Sequence, residues 1–226
     1  MFKSIKQKRK IFFYEFYKFV NKTNGIKLLR KFNQLENSTI NNDIDILVPR
    51  CKQKFTNVFF NSFGFKKQVD SYLLNIYLYG AKPHIHYINK ELNLHFDCVE
   101  QLISQSLHNV YIGSVPITHW IPLDKRIQEL AICTENVYNN NLGQIKTLSK
   151  NVELVHLLAH IIFDKRGRFE TYYSKRILTL YREIDNKELE NLLELVFFKF
   201  TPNLLKILDS GSIKDLFTNF INFKEY

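Results

Sequence analysis

Residues 43–48 read D-I-D-I-L-V, and residues 92–99 read L-N-L-H-F-D-C-V. Both have the length and apolar character of buried strands. Side chains on a strand alternate between its faces. Asp43 and Asp45 therefore share one face, while Ile44 and Ile46 turn into a core. Two carboxylates on one face repel each other and raise each other's pKa, so a fold that keeps them calls for a cation between them. Oxygen ligands of this type suit Mg²⁺ or Mn²⁺, which keep waters and bind substrate phosphates. Asp97, flanked by the apolar Phe96 and Val99, supplies a third carboxylate near the end of the second strand. If the two strands are neighbours, Asp43, Asp45 and Asp97 converge in the layout used for two-metal phosphoryl or nucleotidyl transfer.

Outward from this pair, the periodicity predicts an α+β protein with a small mixed sheet, helices on one face of it, and a helical C-terminal part. Residues 2–22 lack Gly and Pro and carry aromatic residues near helical spacing, which predicts an amphipathic helix closed by Asn24-Gly25. Residues 26–32 read as a strand and 33–42 as a loop. Pro49 stops the D-I-D strand, and a helix is expected over 50–62 with Gly64 behind it. Residues 65–69, 72–79 and 84–88 read as further strands. After Trp120 and Pro122 the strand signals fade. Helices are expected over 123–137, 150–164, 169–184, 187–199 and 203–222, the last interrupted near Gly211. The Asn-rich stretch 136–141 reads as a linker or loop. The expected organisation is a basic N-terminal helix (1–24), a core (25–122) and a helical region (123–226).

The order D-I-D-I-L-V, a helix, "GF", strands and then "LHFDCVEQL" resembles the nucleotidyltransferase superfamily of the polymerase-beta type. It looks closest to small bacterial members found with cell-surface polysaccharide synthesis. In those, a stretch similar to "LLRKFNQLENSTINNDIDILV" leads into the paired Asp, and one similar to "VELVHLLAHIIFDKRGRFETYYSKRI" follows the catalytic domain. The resemblance spans roughly residues 25–182. It implies that Asp43 and Asp45 bind metal, and that Asp97 binds metal and helps deprotonate the attacking hydroxyl. The implied reaction moves a nucleotidyl group from an NTP to a hydroxyl or phosphate acceptor, such as a sugar- or polyol-phosphate. Alternatives are an RNA- or protein-modifying transferase of toxin–antitoxin type, and a catalytically silent binding module of the same fold. The chain departs from the family in one respect. A Gly-Ser or Gly-Gly turn usually precedes the paired Asp, yet no glycine lies between Gly25 and Asp43. Arg30-Lys31 and Ser38-Thr39 stand there instead, and Arg30 is the expected substitute because its planar fork matches two phosphate oxygens.

Other residues are weighed against this site. His95 lies two residues before Asp97, on the same face, within reach of substrate. His84 and His86 also share a face, which suits either phosphate or metal binding or, as is commoner for such a pair, a half-exposed strand face. His156, His160 and Asp164 recur at helical spacing, but without an H-E-x-x-H glutamate they read as packing or hydrogen-bonding groups. Lys165, Arg166 and Arg168 either close over phosphates or favour a helix C-terminus. Tyr172 and Tyr173 read as core residues.

Composition excludes several classes. No P-loop, dinucleotide fingerprint or Ser–His–Asp order occurs. Cys51, Cys98 and Cys133 form no C-x-x-C pair, which argues against a disulfide framework or a structural zinc and fits a reducing cytoplasm. No apolar run is long enough to span a bilayer. Residues 1–10 lack a following small-residue cleavage site, so no signal peptide is expected. The net charge is +10. Lys3, Lys6, Lys8, Arg9, Lys10, Lys18, Lys22, Lys27, Arg30 and Lys31 face only Glu15 over that stretch. Such an arm suits an anionic partner (RNA, a phospholipid surface or a nucleotide), peripheral membrane attachment included, or else a solvated helix face.

Overall fold

The computed structural model describes residues 4–30, 35, 37–71, 75–140 and 143–223. The elements begin with α1 (Ile5–Lys22), β1 (Lys27–Leu28), β2 (Ile44–Leu47), α2 (Gln53–Ser62), β3 (Lys66–Val69) and β4 (Ile76–Tyr77). Next come β5 (Ile85–Asn89), β6 (Leu94–Val99), β7 (Ile103–Gln105), β8 (Val110–Ile112), β9 (Val115–Ile117), β10 (His119–Pro122) and α3 (Lys125–Cys133). The remainder is β11 (Asn136–Asn140), β12 (Gly143–Thr147), α4 (Lys150–Ala159), α5 (Thr171–Glu183), α6 (Asn186–Phe197), α7 (Thr201–Ser210) and α8 (Leu216–Asn222).

The chain is α+β, with a mixed seven-stranded sheet in the order β11-β12-β1-β2-β6-β5-β3 and a helical C-terminal part. β2 and β6 are neighbours and parallel, with Asp45 opposite Asp97. β4, β10 and β7 form a second sheet, and β8 and β9 pair with each other.

Alternation along the central strands divides the interior in two. Ile44, Ile46, Phe96 and Cys98 join one core, built largely from aromatic residues of α1 and α2. Phe12, Phe16, Phe60 and Phe96 meet there, and Phe60 stacks on Tyr87 at 4.4 Å. Leu47 and Val99 point the other way, into a core shared with α3 to α8. Helices therefore cover both faces of the sheet rather than one. Asp45 and Asp97 follow the parity of Leu47 and Val99, so the carboxylates face the C-terminal helices and lie across the sheet from α1.

Two expectations fail in the same region. The Asn-rich stretch is a strand, not a linker, and β11 and β12 extend the sheet from within the segment expected to be helical. β12 lies parallel to β1, with Thr147 opposite Leu28. Apart from Val137 and Tyr138 the stretch is all asparagine and carries no alternation that would reveal a strand; its place in the sheet comes through β12, which pairs with β1 more than 100 residues earlier. The other differences are smaller. Of 26–32, only Lys27–Leu28 is strand, Arg30 lies in a bend, and 31–32 fall outside the described residues. The strand expected over 72–79 is reduced to Ile76–Tyr77, with 72–74 outside the described residues. α4 runs on into a π turn over His160–Asp164. Gly64 takes the left-handed conformation expected behind α2, with φ 74°.

The basic arm is only partly free. Lys6, Lys10, Lys18 and Lys22 are exposed on α1. Arg9 is turned inward and donates to the carbonyls of Leu92, Asn93 and Ser38. Lys27 is fully buried and donates to the carbonyls of Ala131 (2.6 Å), Ile132 (2.9 Å) and Thr134. An ammonium placed on the last carbonyls of α3 satisfies acceptors that the helix leaves open. Among the described residues no helix is long and apolar enough to cross a membrane.

Lys27→Met removes these donors and leaves buried carbonyls unpaired, so it should destabilise the fold by about 3 kcal/mol. Lys18→Met, at a surface pair with Glu15, should leave the midpoint nearly unchanged, because the pair is screened by solvent. Urea unfolding midpoints of the two variants provide the comparison.

Candidate metal centre

Asp45 and Asp97 are directly opposite one another on adjacent parallel strands, and Asp43 precedes the first. One carboxylate oxygen from each of Asp43, Asp45 and Asp97 lies within 4.8 Å of the others. Asp97 is buried, Asp45 is partly buried, and Asp43 is the most open of the three. Burial first, then the charges of Asp45 and Asp97, raise the pKa of Asp43 above the ordinary carboxylate value. This is the repulsion that the D-I-D pattern predicts, and the all-oxygen donor set fits a hard dication.

The chain also supplies its own positive groups. Arg30 donates Nε to Asp45 Oδ2 at 3.0 Å, and its Nη2 contacts Oδ1 of the same carboxylate. Its Nη1 reaches His160 Nε2 at 2.8 Å, and His160 Nδ1 lies 2.7 Å from Asp164 Oδ2. A consistent proton assignment has Nδ1–H donating to Asp164 and Nε2 accepting from Arg30. Asp164 Oδ1 accepts the Gln105 amide at 2.8 Å. A line of four side chains, Asp45–Arg30–His160–Asp164, thus ties the sheet to the π turn. Burial pushes Asp164 up to about 6, against the Gln105 amide and the Arg30 charge. Burial, then Arg30 and His160, pushes His156 down to about 3, so it is neutral.

On the other side, His84 Nδ1 lies 2.7 Å from Asp97 Oδ2. Burial favours a neutral Asp97 carboxyl. The hydrogen bond and charge of His84, followed by His86 and Arg30, outweigh it and hold the pKa below the ordinary value. His95 Nε2 lies 3.0 Å from His86 Nδ1, which places His95 beside the site.

The phosphate-binding expectations fare differently. Arg30 faces the site, but its fork is engaged by Asp45 rather than left open. Lys31 lies outside the described residues. The Ser38 carbonyl is taken by Arg9, and Thr39 pairs through its backbone with Asn42, in the turn that leads to Asp43. Lys165 is exposed on a cavity of about 570 Å³ with Arg166, Arg168 and Asp164. It sits beyond the far end of the Arg30–His160–Asp164 line, not among the carboxylates. Tyr173 is buried, with its ring 5.4 Å from that of His160.

Sequence reasoning missed Asp70 and Tyr77 and gave His160 and Asp164 no part in the site. Their helical spacing was visible. The contact with Arg30, 130 residues away, was not. Comparison with family models, curated proteins and solved structures gives no match.

The two paired acids should respond oppositely to neutralisation. Asp45→Asn leaves Arg30 buried without its charge partner and should cost about 3 kcal/mol in the metal-free chain. Asp43→Asn relieves repulsion and should raise the melting temperature; a fall for both would contradict this geometry. Asp164 supplies a pH test. Its folded pKa lies above its unfolded one, so its bound proton stabilises the fold fully below about pH 4, and this is lost as pH rises through 6. The stability of the wild type relative to Asp164→Asn should therefore fall over that window by on the order of 3 kcal/mol, read from melts at each pH.

Proposed function

We propose that this chain is a metal-dependent nucleotidyltransferase that uses an NTP and a hydroxyl or phosphate acceptor. One observation carries the reading: three carboxylates from two adjacent strands bring oxygens within 4.8 Å of one another on one face of a mixed sheet. The resemblance to small bacterial polymerase-beta-type enzymes adds the acceptor class, a sugar- or polyol-phosphate used in surface polysaccharide synthesis. Mg²⁺ or Mn²⁺ held by Asp43, Asp45 and Asp97 would neutralise phosphate charge and orient the reacting groups. Asp97, oriented by His84, would receive the proton of the acceptor hydroxyl. The acceptor oxygen then bonds to the α-phosphorus as the bond to pyrophosphate breaks.

In this reading Arg30 is a counter-ion to Asp45 that turns to the triphosphate when a dication replaces it. The same contact also favours a second reading, a silent binding module in which Arg30 permanently fills the place of the cation. The exposed lysines of α1 lie across the sheet from the carboxylates, so they do not serve the triphosphate. Their partner would be an anionic surface, and peripheral membrane attachment is the corresponding localisation.

Incubation of the chain with each of the four NTPs and Mg²⁺ or Mn²⁺, with sugar- and polyol-phosphates as acceptors, should release pyrophosphate. Asp97→Asn should reduce the rate at least about 100-fold, the scale of losing a general base. Metal-dependent nucleotide binding without turnover, or no binding at all, would support the silent module instead.

A further inference from the structure

Beside the carboxylates lies a second group with different chemistry. Asp70, directly after β3, and His84 and His86, on or next to β5, each bring one ligand atom within 4.8 Å of the others. The antiparallel β3–β5 pair sets this up. Gln68 is opposite His86, and the Asp70 amide donates to the His84 carbonyl at 3.1 Å. Asp70 Oδ1 lies 2.8 Å from His86 Nε2, and Tyr77 donates its hydroxyl to Asp70 Oδ2 at 2.7 Å. His84 turns Nδ1 to the Asp97 carboxylate, while its Nε2 is buried and has no hydrogen-bond partner among the described residues. A buried ring nitrogen without a partner is costly. An imidazole with one nitrogen on a carboxylate and the other left over is the arrangement by which proteins orient a metal-binding histidine.

We infer that Asp70, His84 and His86 form a second metal site, selective for a zinc-class transition-metal dication and joined to the carboxylate site through the His84–Asp97 hydrogen bond. Two imidazoles and one carboxylate suit Zn²⁺, Fe²⁺ or Co²⁺, whereas the all-oxygen triad suits Mg²⁺ or Mn²⁺. The two sites therefore need not compete for one ion. Tyr77 is a positioning residue here, because it holds the second oxygen of Asp70. An ion on this group would polarise His84, strengthen its Nδ1–H donation to Asp97 and fix that carboxylate. The inference does not require the triad to transfer nucleotides.

The test uses the full chain, stripped with chelator and titrated with Co²⁺, whose visible d–d bands report nitrogen ligation. Cys51 and Cys133 are exposed and are changed to serine throughout to remove competing thiols. The expected result is a saturable band that excess Mg²⁺ does not displace and Zn²⁺ does. Asp43→Asn should leave it intact. His86→Gln and Asp70→Asn should each weaken binding by more than the roughly 10–100-fold that loss of an outer-shell partner costs, and Tyr77→Phe by about that 10–100-fold. Far-UV circular dichroism establishes that each variant is folded, and two ligand variants are used so that one misfolded protein does not decide the matter. Absence of a band overturns the inference, as does a band lost in Asp43→Asn or unchanged in both ligand variants. Failure of pyrophosphate release with this band intact would count against the nucleotidyltransferase reading alone.

Discussion

Asp45 and Asp97 stand opposite each other on adjacent strands, and much of the arrangement around them answers that one electrostatic problem. Like charges at paired positions of a sheet destabilise it, and here the pair is largely shielded from water. The chain places a guanidinium on one side and an imidazole on the other. Arg30 is held in turn by His160 and Asp164, and His84 by its strand and by Trp120, whose ring lies 5.0 Å away. Compensating the charge thereby joins the layers. The link from Asp45 to Asp164 crosses from the sheet to the C-terminal helices, alongside the core that Leu47 and Val99 share with them.

The position of the link coincides with the irregularity in α4. A π turn over His160–Asp164 widens the helix where its side chains must meet Arg30. Such turns cost regular hydrogen bonding and persist where side-chain placement compensates. A buried bidentate pair two turns earlier, Arg176 to Glu153 at 2.7 Å for both bonds, pins α4 to α5. The irregular turn is thus held on both sides.

The parts of this design legible in the sequence are those with a short period. D-I-D-I-L-V and L-H-F-D-C-V contain their own alternation, so the shared face of Asp43 and Asp45 follows from spacing alone, while that of Asp97 required the two strands to pair. The aromatic face of α1 is legible for the same reason. Features decided by distant partners were not. Arg30 and Lys27 look like members of a basic arm, yet one neutralises an aspartate and the other ends a helix more than 100 residues later. The Asn-rich 136–141 stretch resembles a linker, because the strand identity of Asn136–Asn140 depends on β12. A histidine's spare nitrogen leaves no trace in a sequence either; only the fold shows which ring nitrogen has lost its partner.

The place of β12 in the sheet also has a temporal meaning. α1 is synthesised well before β12, the strand it packs on; Asn21 donates to the Gln144 carbonyl at 2.7 Å, 123 residues on. At a translation rate of about 5–20 residues per second, the nascent chain spends on the order of ten seconds with α1 made and β12 still missing. Through that interval the side of β1 that β12 later pairs with has no partner, whereas the phenylalanine-rich face of α1 already has its cover from α2 and β6. The partly made chain therefore carries an unpaired strand edge, which is closed only when β11 and β12 are added to the sheet.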